Sequence, residues 1–205
     1  MTIQLTPAKG TLQRIKDKGA KWDSDEKTYF IPENYSIDNF KDEIVFSGGK
    51  IILSPLLILE NKSICKHCNK ETPVIALAAL EMIEYVDEES DDESRVFWEF
   101  QKELTVFSWV EAIPKNIIKQ VTDRYPFYQF KFNNVLEYKV WENVCTQCGE
   151  TIADWDLHDE PAGAFCPMDP EAAKKIIIQK IPLKHSFVFP EGGASLLFDE
   201  HILNG

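Results

Sequence analysis

The first fifty residues carry short groups of apolar side chains separated by polar spacers and turn residues, a pattern typical of a small αβ unit. Leu12 and Ile15 lie three positions apart, which predicts a short amphipathic helix over residues 11–18. Gly19 follows where a left-handed C-terminal cap would fall. Residues 28–31, Thr-Tyr-Phe-Ile, are rich in β-forming side chains and stop at a proline, so they predict a strand.

A second group of local signals marks where this unit ends. Ser36 can cap a further helical turn that carries two apolar residues. A Gly-Gly pair then predicts a turn into residues 51–59, an apolar strand interrupted at Pro55. We therefore predict two domains, a small module over residues 1–50 and a larger domain over residues 51–205.

The larger domain combines aromatic strand patterns with a few helical ones. Residues 72–80 form a continuous apolar run, which a helix or a buried strand explains equally well. A helix is expected after Pro114, and Asp169 followed by a proline and an acid predicts another helix over residues 169–178. The remaining strand-like segments are residues 96–100, 105–110, 125–141 and 186–189. Together these patterns predict an α+β fold, in which the N-terminal αβ module precedes a mainly antiparallel β body with a few helices.

The N-terminal module contains a combination of residues that resembles a known bacterial domain. The segment 18–23, Lys-Gly-Ala-Lys-Trp-Asp, is followed by Lys-Thr-Tyr-Phe-Ile-Pro at 27–32 and by Ile-Asp-Asn-Phe at 37–40. Together these segments are similar to a small domain of unknown function that occurs alone and attached to plasmid-encoded primase-like proteins. The resemblance implies an association with nucleic-acid processing, and it supplies no catalytic residue.

Two Cys-x-x-Cys pairs provide the most specific chemistry in the sequence. Each pair, Cys65 with Cys68 and Cys145 with Cys148, can form a tight knuckle whose two thiolates point at one ion. Four thiolates complete the tetrahedral set that zinc adopts in structural sites, and they leave no position for water. Strand-like segments precede both pairs, as in a zinc ribbon. The sequence therefore predicts one structural zinc ion.

The surroundings of the pairs and the distance between them refine this prediction. Asn69 and Gly149 follow the second cysteine of each pair, and both residue types tolerate the positive φ that such a knuckle needs. Seventy-six residues separate the pairs, against about 15–20 in simple ribbons. We therefore expect a split ribbon whose ion pins together the two ends of a folded insertion. The alternative is two redox-active pairs, although neither opens an evident βαβ unit.

The remaining cysteine and the histidines offer weaker chemistry. Cys166 is expected to be a small buried apolar residue or a bystander rather than a ligand. His67 is expected to be an ordinary side chain of the first knuckle. His158 lies among acidic residues that could raise its pKa and prepare it for proton transfer, and an ordinary surface histidine in an acidic loop is the alternative.

The cysteine pairs belong to a longer pattern that also resembles known proteins. Residues 65–74, Cys-Lys-His-Cys-Asn-Lys-Glu-Thr-Pro-Val, are matched by Cys-Thr-Gln-Cys-Gly at 145–149. The second segment continues through Asp-Trp-Asp-Leu-His-Asp-Glu-Pro at 154–161 to Gly-Ala-Phe at 163–165. This pattern is similar to a family of uncharacterised bacterial proteins with one split four-cysteine module, which often carry the Trp-Asp domain described above. The resemblance implies a shared architecture and zinc, and it supplies no activity.

The distribution of charge along the chain and the expected cellular compartment limit the classes of function that fit this protein. The chain has 22 basic and 34 acidic residues, a net charge of −12, and residues 1–50 are balanced with eight of each. The whole excess falls in residues 51–205, with 14 basic and 26 acidic residues, and such a field attracts basic partners and repels phosphate backbones. No apolar run approaches the ~20 residues that span a bilayer, and no signal peptide is recognisable. We therefore expect a cytoplasmic protein without membrane contact, in which reduced thiols bind metal.

These observations lead to two hypotheses of function. No catalytic motif is recognisable and a closed four-thiolate zinc should not activate water, so we expect no enzymatic activity. Residues 87–93 predict a solvated acidic loop, and the candidate partner-binding residues are Asp87, Glu88, Glu89, Asp91, Asp92 and Glu93. The first hypothesis is a zinc-stabilised protein-binding module, specifically an acidic inhibitor or immunity protein that neutralises a basic, nuclease-like bacterial toxin. The alternative is a nucleic-acid-associated zinc-ribbon accessory protein of plasmid or phage DNA processing, with a lysine cluster beside Trp22 as its best surface.

Overall fold

The structure, a computed structural model, describes residues 1–7, 10–89, 94–189, 194–195 and 199–203. The helices are α1 (Leu12–Asp17), α2 (Lys41–Phe46), α3 (Lys115–Arg124), α4 (Asp154–His158), α5 (Pro170–Ala173) and α6 (Asp199–Leu203), with a 3-10 helix over Ile37–Phe40. The strands are β1 (Ile3–Leu5), β2 (Lys21–Asp23), β3 (Thr28–Ile31), β4 (Lys50–Ile52), β5 (Leu56–Ile64), β6 (Glu71–Glu89), β7 (Ser94–Phe107), β8 (Tyr128–Asn133), β9 (Tyr138–Val144), β10 (Thr151–Ile152), β11 (Ile177–Ile181), β12 (Ser186–Phe189) and β13 (Ala194–Ser195). Helices and mostly antiparallel strands coexist, which confirms the predicted α+β class.

The chain divides into two compact units, each built from separate segments. The first unit contains Met1–Pro55, Leu80–Lys102 and Pro182–Glu191, and the second contains Leu56–Ala79, Glu103–Ile181 and Gly192–Gly205. The first fifty residues therefore belong to a unit that also includes two later parts of the chain. The sequence gives no local signal for this arrangement, because it depends on pairing between strands far apart in the chain.

The first unit contains the predicted N-terminal elements and a strand from near the C-terminus. β12 lies between β1 and β4, pairing in parallel with β1 and antiparallel with β4, and β4 also pairs with the end of β6. The apolar faces of β1 and α1 form a core with α2 and β4, in which Ile3, Ile15 and Ile44 are fully buried. Helix α1 ends at Asp17, and Gly19 follows its C-cap as expected, with a φ of +102° and its N–H donated to the carbonyl of Lys16 at 2.9 Å.

Asp23, the acid of the Trp-Asp motif, has a structural role in this unit. One carboxylate oxygen accepts a hydrogen bond from the backbone N–H of Asp25 at 2.9 Å, which fixes the turn between β2 and β3. The other oxygen contacts Lys184 Nζ at 2.7 Å and His185 Nε2 at 2.8 Å. The bond from Lys184, followed by that from His185, holds the pKa of the Asp23 carboxyl well below its usual range. The motif thus connects the N-terminal segment with the residues that precede β12.

The second unit contains strands from two sheets. In the larger one β5 lies between β11 and β6, and β13 pairs with β7. The smaller sheet has the order β10-β9-β8. Each Cys-x-x-Cys pair lies in the turn of a hairpin, the first between β5 and β6 and the second between β9 and β10. The two hairpins come from different sheets, so the packing of these sheets determines where the cysteines meet.

The predicted acidic loop is partly wrong. Asp87, Glu88 and Glu89 belong to β6, which extends the apolar run at residues 72–80 into one long strand. Asp91, Asp92 and Glu93, together with residue 90, lie outside the described residues. The side chains of Asp87 and Glu88 are exposed, so their charges stay in water although both residues belong to a strand. The acidic residues 87–89 therefore form part of a strand, although their composition predicted a loop.

Three further boundaries differ from the sequence-based prediction. The segments 96–100 and 105–107 belong to one strand, β7, while Val110 forms only an isolated bridge with Trp141. The segment 125–141 contains β8 and the first part of β9, which form a hairpin. Its turn is stabilised by the Asn133 side chain, whose oxygen accepts hydrogen bonds from two backbone N–H groups. The helix predicted over residues 169–178 ends at Ala173, because residues 177–181 pair with β5 as strand β11.

Candidate metal centre

The two Cys-x-x-Cys turns have the same backbone geometry. In the first, Asn69 donates its N–H to the carbonyl of Cys65 at 2.8 Å, and the Cys65 N–H bonds to the carbonyl of Lys70 at 3.0 Å. In the second, Gly149 donates to the carbonyl of Cys145 at 2.9 Å. Asn69 has a φ of 55° and Gly149 one of 80°, which confirms that these positions need residues that tolerate the left-handed region.

The four thiols of these turns meet at one point. All four Sγ atoms lie within 4.8 Å of one another. Two of these separations join different turns, at 3.6 Å between Cys65 and Cys148 and at 3.8 Å between Cys68 and Cys145. A tetrahedral ion with metal–sulfur bonds of ~2.3 Å gives sulfur–sulfur separations of about 3.8 Å, whereas a disulfide needs about 2.05 Å. The arrangement therefore fits four thiolates around one metal ion.

Hydrogen bonds outside the cluster keep the two turns together. Asn143 is buried, and its side chain accepts from the Ile75 N–H at 2.8 Å and donates to the Ile75 carbonyl at 2.9 Å. The Thr146 N–H donates to the Thr72 hydroxyl at 3.0 Å. These bonds join β9 and the second turn to β6, the strand that follows the first turn. The positions of the thiols are thus supported by contacts that do not involve sulfur.

Burial and hydrogen bonding distribute charge unevenly among the thiols. Cys65 and Cys145 are buried, Cys68 is half-buried and Cys148 is exposed. Burial raises the pKa of Cys145, but hydrogen bonds from the backbone N–H groups of Cys148 and Gln147 outweigh it and lower the pKa to about 6. The backbone N–H of Glu150 lowers the pKa of Cys148, yet desolvation and the neighbouring thiols raise it to about 12. The backbone N–H groups of the second turn therefore favour the thiolate form of Cys145, which is the form that binds a metal ion.

The other residues singled out in the sequence lie away from this cluster. His67 is an exposed residue of the first turn, and half-buried Cys166 is outside the four-thiol group. The expectation that acidic neighbours raise the pKa of His158 is wrong, because burial lowers that pKa to about 4. The His158 ring packs against Phe165, with 5.3 Å between the ring centres. His158 is therefore neutral at physiological pH.

A buried carboxyl group shortly after β10 was not recognised from the sequence. Asp154, at the start of α4, is buried and accepts a hydrogen bond from the Trp109 N–H at 2.6 Å. Burial raises its pKa to about 7, despite that bond. Trp109 has a φ of 50°, an unusual conformation for a large side chain. Asp154 opens the segment 154–161 that was singled out in the sequence, but nothing in that segment points to Trp109, so only the three-dimensional structure brings the two together.

Comparisons with protein-family models, with curated proteins and with solved structures found no match to this chain. Among the described residues, no helix is long and apolar enough to cross a membrane.

Proposed function

We propose that this chain is a non-enzymatic protein-binding module, stabilised by one structural zinc ion, whose partner is a basic protein. The observation that carries the zinc assignment is the set of sulfur separations of 3.6 and 3.8 Å within a group of four thiols. Zinc is the ion expected for four thiolates in tetrahedral geometry. With four protein ligands it has no open position, so its contribution is to stabilise the fold as a split zinc ribbon.

The charge of the chain supports a basic partner. Residues 51–205 carry an excess of twelve acidic residues, 26 against 14, while residues 1–50 are balanced. The end of β6 adds the exposed acids Asp87 and Glu88. A concentrated negative field accelerates association with a positively charged surface. The specific form of this proposal is an immunity protein that covers the basic active site of a nuclease toxin in a reducing, cytoplasmic compartment.

The proposal is tested first by native mass spectrometry of the tagged protein purified from its own host. We expect a mass increase of one zinc ion and a stoichiometric basic protein. A chain that carries no zinc and no partner would contradict both parts of the proposal. Bound nucleic acid would instead favour the second candidate given below.

The electrostatic part needs a kinetic measurement on the purified complex. The double variant Asp87→Asn/Glu88→Gln should slow association severalfold at low salt, with a smaller effect at high salt. The matched control is Glu137→Gln/Asp159→Asn, which removes the same charge from two other exposed positions. Equal effects of the two double variants, or association that does not depend on salt, would rule out a role for the end of β6.

One observation favours the alternative, a nucleic-acid accessory protein. Phe130 and Phe132 project from the same face of β8 and are 45% and 55% exposed. Lys139 Nζ lies 6.0 Å from the ring centre of Phe130. Exposed aromatic rings beside a lysine form a surface on which the bases of a single strand can stack.

This alternative is tested with a fluorescent oligothymidine of twelve nucleotides. If it is correct, Phe132→Ala should lower affinity about 5- to 150-fold, the range for one lost stacking contact. Val135→Ala is the control, since Val135 is exposed in the turn of the same hairpin. Absence of binding by the unaltered protein at low salt would eliminate the alternative.

A further inference from the structure

Strand β5 has an edge that is paired along only part of its length. β11 covers residues 56–60 of β5, and its last pair joins Ile177 to Glu60. On the opposite side β6 pairs with β5 as far as Ile64. In the part of the chain that the structure describes, no strand pairs with Asn61–Ile64 on the side that β11 leaves open.

The alternation of the antiparallel ladder shows which backbone groups face this open edge. The N–H and carbonyl of Ile75 bond to the Asn143 side chain, on the side of β6 away from β5. Its partner Glu60 must likewise direct its backbone groups away from β6, and it does so towards β11. Because the direction of these groups repeats every two residues along a strand, the backbone N–H and carbonyl groups of Lys62 and Ile64 also point towards the open edge. The Asn61 side chain accepts from the Lys62 N–H at 2.9 Å, so Ile64 offers the N–H available to a ligand.

The open edge forms one wall of a groove of about 570 Å³. The first cysteine turn contributes Lys66 and His67 to the lining, and residues 160–164 also line the groove. One end is crossed by a hydrogen bond from the Asn61 amide to the Ala164 carbonyl at 2.6 Å. The volume falls within the range of ligand-binding clefts, and four residues of open edge correspond to about 13 Å of extended chain.

The groove is lined by exposed apolar side chains and has a small excess of acids. Ile64 is 59% exposed and Met168 is 56% exposed, and both face the groove. Two lysine–acid pairs neutralise each other there, Lys62 with Glu71 and Lys66 with Asp156, each at 2.7 Å. The remaining charged residues of the lining are Glu160, Asp169 and Lys175. The lining therefore carries a net charge of −1 once the paired groups are discounted.

We propose that this groove binds an extended polypeptide segment of the partner, which adds as a strand to the edge Asn61–Ile64. The open edge supplies backbone hydrogen bonds to any extended peptide. Ile64 and Met168 favour apolar side chains on that peptide, and Glu160 with Asp169 favours a lysine or arginine. This inference rests on the proposed function in that the ligand is a basic protein, but it concerns a surface separate from the acids of β6.

The test uses defined peptides and the zinc-loaded full chain. The probe is a capped seven-residue peptide of alternating valine and lysine, and binding is followed by calorimetry and by nitrogen-15 NMR. We expect the amide signals of residues 61–64 to shift. Every second backbone N–H of an extended peptide faces the same side, so there are two sets of nitrogens that can be methylated. Methylating one of the two sets should weaken binding about tenfold, because it removes the hydrogen-bond donors that face the strand edge. A capped peptide of alternating valine and glutamate should bind more weakly than the lysine peptide.

A matched pair of variants isolates the backbone contribution. Ile64→Pro removes the N–H that faces the groove, whereas Ile64→Ala shortens the same side chain and keeps it. We expect the proline variant to bind the lysine peptide about tenfold more weakly than the alanine variant. Zinc content measured on both variants shows whether the neighbouring cysteine turn is intact, and N-methylated peptides test the same bond without any mutation.

The outcomes separate this inference from the proposed function. Peptide binding that leaves residues 61–64 unshifted, or that N-methylation of either set of nitrogens leaves unchanged, would overturn the groove proposal. The proposed function would still stand if a basic partner binds with rates that depend on Asp87 and Glu88. Conversely, peptide binding at residues 61–64 in a chain that retains no basic partner from its host would support the groove and contradict the proposed function.

Discussion

Removing the second cysteine pair is the most direct test of the proposed zinc clamp. The variant Cys145→Ser/Cys148→Ser deletes two of the four thiols whose Sγ atoms lie within 4.8 Å of one another. The 76 residues between Cys68 and Cys145 are then no longer closed into a loop by the ion. We expect the variant to be less stable than the zinc-loaded unaltered protein, because its unfolded chain regains the entropy that this closure removes.

The size of the effect follows from the length of that loop. For a cross-link that closes 76 residues, the chain-entropy relation gives about 4.5 kcal/mol at 25 °C. In a chain of this size one kcal/mol changes the melting temperature by about 2–4 °C. The zinc-dependent part of the melting temperature should therefore be about 9–18 °C.

The assay compares thermal melts of each protein with zinc and after chelation, with the metal content measured on the same samples. Cys166→Ser is the matched control, because it makes the same chemical change at a cysteine outside the cluster. The control should keep one zinc ion and the full zinc-dependent stabilisation. The reasoning is refuted if chelation removes the metal from the unaltered protein without lowering its melting temperature, or if the control loses the metal as well.

Three further predictions concern single residues. Burial raises the pKa of Asp154 to about 7. Between about pH 4 and pH 7 the Asp154 carboxyl therefore stays protonated in the folded chain but is ionised in the unfolded chain, so the free energy of unfolding should fall as the pH rises through this range. In urea titrations, Asp154→Asn should remove about 4 kcal/mol of that pH dependence. Gly19→Ala should cost more than Gly10→Ala in thermal melts: both glycines have positive φ, but only at Gly19 would the added carbon overlap the Tyr35 ring. Asp23→Asn should lower the melting temperature at pH 7, and this difference should shrink as the pH falls below about 4, because the lowered folded-state pKa of Asp23 stabilises only the ionised form.

Each of these predictions has a result that would contradict it. Parallel pH profiles for Asp154→Asn and the unaltered protein would show that this carboxyl does not titrate abnormally. Equal costs at the two glycines would show that the Tyr35 ring moves aside. A constant difference at all pH values for Asp23→Asn would mean that packing, rather than ion pairing, explains its effect.

Elements with strong local signals could be predicted from the sequence. The helix before Gly19, the strand Thr28–Ile31 and the Ser36 cap were confirmed, as were the turns at Asn69 and Gly149. Each depends on residues within a few positions of one another. The clustering of the cysteines was also confirmed. Two Cys-x-x-Cys pairs predict a shared ion site because each pair can direct two thiolates at one ion.

Features that depend on distant pairing could not be predicted. The helix start signal at Asp169 predicts a helix as far as residue 178, yet residues 177–181 form a strand because they pair with the edge of β5. The turn after Asp23 accounts for one role of its carboxylate, which accepts the Asp25 N–H. Nothing in the sequence points to its second contact, with His185, which is 162 positions away. The groove was missed for the same reason, since it exists only where β11 stops short of the end of β5.

The position of the four thiols connects the proposed zinc site with the proposed groove. The bonds of Asn143 and Thr146 to β6 place the second cysteine turn beside the first without help from sulfur, so the ion would bind a site that is already assembled. Lys66, within the first turn, also contacts Asp156 of α4 across 2.7 Å, and both residues line the groove. The groove is thus lined both by the strand edge with the first cysteine turn and by elements that follow the second turn. An ion that joins the two turns would fix the width of the groove, which gives a closed structural zinc a direct effect on binding without any part in chemistry.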